Sequence, residues 1–164
     1  MKKKNGIGKK EKAIKPSMAI AVNPSIMSRI LPEIPVYIII LGAFLIRLYH
    51  LYCIIHNDPN YLNFAGTDME AYDTTAMQIV NGTLPKEPYS WYPAYCYFVA
   101  AVYFIFGHNP VMVMVIQGLL GSITCYLAYL MGKELFNKSV GIIAALLCGL
   151  YGTYIMYSAV LLSP

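Results

Sequence analysis

The chain has 164 residues, of which 58% are hydrophobic and 12% charged, with a net charge of +4 and a mean hydropathy of +0.54. Soluble domains carry about twice that share of charge, which excludes an ordinary water-soluble enzyme and points to an all-α integral membrane protein. The charges are also unevenly spread, with a basic beginning and an acidic middle.

Residues 1–34 open the chain. The run MKKKNGIGKKEKAIK holds seven lysines and one acid, and no apolar stretch long enough for a helix in lipid. It lies too far from the first apolar segment, itself too long, to be a cleavable signal peptide. No aromatic or motif context supports nucleic-acid binding. It reads as a largely disordered cytoplasmic tail that obeys the positive-inside rule.

Residues 35–164 make up the membrane part. A helix needs about 20 apolar residues to cross the hydrocarbon layer, and Val36–Ile55, Pro110–Met131 and Val140–Leu162 meet that length. Trp91–Gly107 is shorter and very aromatic. Residues 1–34 carry eight Lys/Arg against two acids, the loop 132–139 two lysines against one acid, and the stretch 56–109 five acids against one lysine. The charge rule then puts 56–109 outside and Lys133 and Lys138 inside. Only one crossing can separate them, so Trp91–Gly107 lies along the outer membrane surface; the competing arrangement makes it a short span. Small-residue pairs at Gly118/Ser122, Gly121/Cys125 and Cys148/Gly152 fit close helix packing.

The acidic loop holds the chemistry. In AGTDMEAYDTTAMQIVNG, Thr67 and Glu70 have the spacing of a capping box, and Asn81-Gly82 supplies a helix stop. A helix over Asp68–Val80 is predicted, with Met69, Tyr72, Ala76 and Ile79/Val80 on its apolar face. Glu70 is accounted for by the cap and Asp73 by a solvated face. Asp68 sits in the first turn, where the helix dipole favours an anion. At a loop–helix junction near the membrane surface, it is also placed to accept a proton from a hydroxyl group.

Arg47 lies in the outer half of the first span with His50 nearby. Two readings stand: the guanidinium snorkels to the surface, or it grips a lipid-linked phosphate. Lys86-Glu87 is either a solvent-facing pair or a phosphate neighbour. His56 and His108 have no metal-type partners, and the four cysteines read as small apolar residues. Asn81-Gly82-Thr83 is a glycosylation sequon, relevant only in a eukaryotic secretory setting. No Walker loop, GxGxxG, HExxH or nucleophile elbow is present.

Taken in order, RLYHLY, TDMEAYDTTAMQIVNGTLP, YPAYCYFVAAVYFIFGHNP and VIQGLLGSITCYLAYLMGKELFNKSVGIIAALL resemble the start of polytopic GT-C glycosyltransferases. The resemblance is to the dolichyl-phosphate-mannose-protein mannosyltransferase-like group, glycosyltransferase family 39 and its relatives, over about residues 35–162. It implies a first extracytoplasmic loop with two helices lying along the membrane. It further implies Asp68 as the catalytic base, Tyr72 one turn on, and Lys86, Glu87 and Tyr92 in the stretch that lines the substrate site, with Arg47 or Lys86 against the donor phosphate. The activity implied is hexosyl or pentosyl transfer with inversion, from a polyprenyl-phosphate-linked sugar to a lipid, glycan or protein hydroxyl, at the extracytoplasmic face of the cell membrane. No cofactor or metal-ligand set is indicated, although the family can use a divalent ion. Cys96 stands where many relatives have a second proline. Relatives have many more spans, so this stretch by itself is expected to be inactive. The alternative is a non-enzymatic membrane protein, either a transporter segment or a small assembly subunit. The acids lie in a loop and not in mid-span, which favours the enzyme.

Overall fold

Uninterrupted apolar runs form helices here, and Asn, Gly and Pro punctuate them. The computed structural model describes residues 33–83 and 93–161. The basic tail and the segment that carries Lys86, Glu87 and Tyr92 lie outside the described residues. Among the described residues there are six helices: α1 (Ile34–Asn57), α2 (Asp68–Val80), α3 (Pro93–Phe106), α4 (Pro110–Leu135), α5 (Lys138–Leu150) and α6 (Gly152–Ser158).

Each boundary has a local cause. Pro35 stands in the first turn of α1, where a missing N–H costs nothing. After α1, the Asp58 carboxylate accepts from the Asn60 N–H at 2.9 Å and turns the chain. Asn109 caps α4 by accepting from the Met112 N–H, and Asn137 caps α5 through the Val140 N–H. Gly82 and Gly107 end α2 and α3 at φ of 69° and 76°, in the left-handed region that side chains resist.

At 24 and 26 residues, α1 and α4 are about 36 and 39 Å long at 1.5 Å per residue, enough to cross the bilayer. The α1 face carrying Ile38, Leu41, Leu45 and Tyr49 is exposed, as expected of a surface that meets lipid and not water. The 14 residues of α3 reach only about 21 Å, short of the hydrocarbon thickness. The third expected span, Val140–Leu162, is not one straight rod. It breaks at Tyr151 and bends by 52° between α5 and α6. Tyr151 adopts an extended conformation (φ −66°, ψ 110°) between Gly149 and Gly152, both poor helix formers. The Tyr61 hydroxyl then holds the end of α6 by donating to the Ala159 carbonyl at 2.6 Å. The protein is thus an all-α membrane protein with, among the described residues, two helices long and apolar enough to span, or three if the bent pair counts as one.

Two cores form at opposite ends. At the loop end, α2 and α3 pack together over Leu51, Val99, Tyr103, Val113 and Met114. At the hairpin end, α4 and α5 close on Val36, Tyr129 and Ala145. A Cβ on Gly132 would lie 2.8 Å from the Gly141 Cα, and one on Gly141 would lie 2.6 Å from the Tyr129 carbonyl oxygen. This is the tightest helix contact at any glycine among the described residues, and it is not one of the small-residue pairs read from the sequence. The hairpin turn at Phe136-Asn137 sets that register, and spacing within a single helix does not reveal it.

Candidate functional site

The site begins at the junction of loop and α2. The expected helix Asp68–Val80 is present, but its cap differs from the capping box read in the sequence. The Thr67 hydroxyl donates back to the Phe64 carbonyl at 2.7 Å and leaves the helix N–H groups alone. Glu70 Oε2 accepts from the Gly66 N–H at 2.8 Å and not from that of Thr67. The cause is Gly66, whose φ of 77° curls the chain so that its own N–H reaches the first turn. Asp68 is exposed there, and among the described residues it makes no hydrogen bond or ion pair.

One turn further, Tyr72 is 1% exposed and meets the ring of Tyr95 on α3 edge to face, with centroids 5.0 Å apart. Tyr95 lies on the wall of a cavity of about 570 Å³, which it shares with Arg47, Phe98, Gln117, Gly121 and Tyr157. That volume falls within the range of small-molecule pockets. Burial pushes the Tyr95 phenol well above its ordinary pKa, so it stays a neutral hydroxyl.

Arg47 points inward. It shares one helical stripe of α1 with Val36, Ala43 and Leu51, the residues buried in that helix. Its side chain is 2% exposed, so it does not snorkel. Room for it comes from α4: a Cβ on Gly121 would lie 3.0 Å from Arg47 Nε. Its Nη1 donates to the Ala43 carbonyl at 2.9 Å, whereas Nε and Nη2 are buried without a partner. Burying a charge without full pairing is costly.

Asp73 does not lie on a solvated face. Its Oδ1 accepts from the Tyr103 hydroxyl at 2.5 Å, and His108 Nε2 lies 2.9 Å from Oδ1 and 3.1 Å from Oδ2. Burial first, and the carboxylate second, raise the Tyr103 phenol above its usual range. The partners are 30 and 35 residues apart in sequence, and no local motif announces them. The one sequence signal is the stop at Gly107, which turns His108 back over α3. Among the described residues, no three His, Cys, Asp or Glu side chains converge.

The structure therefore brings Arg47 and Tyr95 to one cavity, with Tyr72 packed behind Tyr95. Asp68 is one turn before Tyr72 and is not part of the cavity's described wall. Lys86, Glu87 and Tyr92 lie outside the described residues. Such an arrangement, a buried cation beside an apolar cavity within a multi-pass helical protein, suits an amphiphilic anion.

The model of the dolichyl-phosphate-mannose-protein mannosyltransferase family matches residues 86–163, which supports a mannosyltransferase-like family of GT-C type for this chain. The match runs from Lys86 through α3 to the end of α6, and so takes in Tyr95 and Gln117 but not Arg47, Asp68 or Tyr72. No curated protein and no solved structure matches the chain.

Proposed function

We propose that the protein is a glycosyltransferase of the cell membrane. It moves a hexose or pentose from a polyprenyl-phosphate-linked donor to a hydroxyl of a lipid, glycan or protein. The N-terminus is cytoplasmic and the loop 56–109 extracytoplasmic, where the two short helices α2 and α3 lie at the membrane surface. The family match supplies the reaction class. The structural observation that carries the donor assignment is Arg47, buried beside the cavity with Nε and Nη2 unspent.

The chemistry follows from the roles. Asp68 takes the proton from the acceptor hydroxyl as its oxygen attacks the anomeric carbon. The bond from that carbon to the phosphate oxygen breaks with inversion, and polyprenyl phosphate leaves with the electron pair. Arg47 offsets the charge on that leaving group. Tyr72 orients Tyr95 against the cavity, and Lys86, Glu87 and Tyr92 complete the site around the donor head group.

The test uses membranes that contain the full-length protein, supplied with labelled polyprenyl-phosphate sugars. Asp68→Asn keeps the shape but removes the proton acceptor, and transfer should fall by about 100-fold or more at matched expression. Undiminished transfer would return Asp68 to a helix-end anion.

A further inference from the structure

Around the same cavity, hydrogen-bonding capacity is left over on three side chains. Arg47 Nε and Nη2, the Tyr95 hydroxyl and Gln117 Oε1 are all buried without a partner among the described residues, and all three residues line the cavity. Buried polar atoms are nearly always paired, so three such side chains around one space call for a ligand with the matching groups.

The chemistry of each atom narrows that ligand. Gln117 is fixed in orientation because its amide nitrogen donates to the Val160 carbonyl at 3.3 Å. A carbonyl only accepts, so the nitrogen must face it and Oε1 must face away. Gln117 therefore has a bare acceptor to offer, and that acceptor needs a donor. Arg47 offers donors only. Tyr95 keeps its proton, because burial holds its phenol above the ordinary range, and so it can also donate. The Tyr95 hydroxyl lies near the Gln117 side chain, yet no hydrogen bond of normal geometry joins them. The rest of the wall is mainly apolar, with Phe98, Leu120 and Tyr157. The ligand that fits has an anion, a hydroxyl beside the anion, and an apolar tail. A fatty acid or a bare prenyl phosphate lacks a sugar hydroxyl beside its anion.

We propose that Gln117 is a specificity-determining residue: Arg47 and Tyr95 hold the donor phosphate while Gln117 Oε1 accepts a hydroxyl of the attached sugar. This rests on the donor reading given above. It adds the discrimination between glycosylated and spent lipid carrier, which lets the product leave once the sugar has gone. A site built around a hydroxyl rejects the analogue that lacks it far more strongly than an apolar pocket rejects a missing methylene.

The experiment measures the affinity of the full-length protein, in lipid nanodiscs, for two kinds of probe. One is bare polyprenyl phosphate; the other is polyprenyl phosphate carrying mannose, glucose, galactose or arabinose. The wild type should bind its best glycosylated probe more tightly than the bare lipid. Gln117→Leu should lower that preference by about tenfold and leave affinity for the bare lipid nearly unchanged. Gln117→Asn, which keeps the amide but withdraws it by one methylene, should show the same loss if the leucine variant fails to fold. Tyr95→Phe should weaken both probes by about fivefold, the worth of one hydrogen bond. A preference that survives in both Gln117 variants, while the wild type still transfers sugar, overturns this assignment alone; Tyr95 or water then satisfies Oε1. A wild type that binds neither probe overturns the assignment and the donor reading together.

Discussion

The two ends of the helix bundle treat their polar groups in opposite ways. At the hairpin end, Glu33 accepts from the Tyr129 hydroxyl and from Lys133 Nζ at 2.9 Å, and the lysine also lies over the Tyr129 ring. At the loop end, Asp73 is likewise paired, but Arg47 Nε and Nη2, the Tyr95 hydroxyl and Gln117 Oε1 have no partner among the described residues. Pairing costs little and ties helices together, whereas an unmatched buried donor costs about 1–3 kcal/mol. The hairpin end therefore ties its helices together, and the loop end leaves buried polar atoms unmatched at a cost in stability.

Four experiments would break or sharpen that contrast. The largest effect is expected at the hairpin, where Gly141→Val would drive its Cβ into the Tyr129 carbonyl at 2.6 Å. Backbone cannot yield as a flexible side chain can, so the yield of folded protein in membranes should collapse. Normal yield from that variant would mean the two helices are free to part. Next, Arg47→Met should raise stability by about 1–3 kcal/mol, because an apolar chain of similar length removes a partly unpaired buried charge, while sugar transfer falls. A rise in melting temperature together with lost transfer would mark Arg47 as kept for use. A fall in both would make it structural.

Asp73→Ala leaves the buried Tyr103 hydroxyl without its acceptor and should cost about 2 kcal/mol, read as easier proteolysis between α2 and α3. Tyr103→Phe removes only the donor and leaves Asp73 paired with His108, so it should cost less. The smallest effect concerns pH. The Tyr129 hydroxyl, then Lys133, holds the Glu33 carboxyl below its usual pKa. A depressed folded pKa gives stability that is present above the unfolded carboxylate value and lost as pH falls through the folded value. Melting temperature should therefore decline below about pH 4, and Glu33→Gln should flatten part of that decline. An equal decline in both proteins would assign it to other acids.

Much of the molecule was legible from composition and spacing. The long apolar runs gave α1 and α4, and the bounds of α2 were legible from Thr67 and Asn81-Gly82, although the side-chain cap read at its start does not form. The apolar face of α2 also held, with Tyr72 and Ala76 buried. The bend at Tyr151 was not legible. An apolar run of sufficient length reads as one span whether or not distant partners, here Tyr61 and Gln117, pull its end aside. Likewise Asp73 looked solvated, since Tyr103 and His108 reach it only after α3 folds back on α2.

What the sequence determined by itself was therefore the set of helices, their membrane character and the kinds of chemical group available. These follow from local propensity and hydrophobic burial, which act over a few residues. Only the tertiary structure decided that Arg47 points inward, that Asp73 is paired, and that Gln117 turns its carbonyl away from Val160. Those outcomes depend on which atoms meet across helices, and hydrogen bonds and ion pairs are set by distances of a few ångströms that no residue spacing encodes.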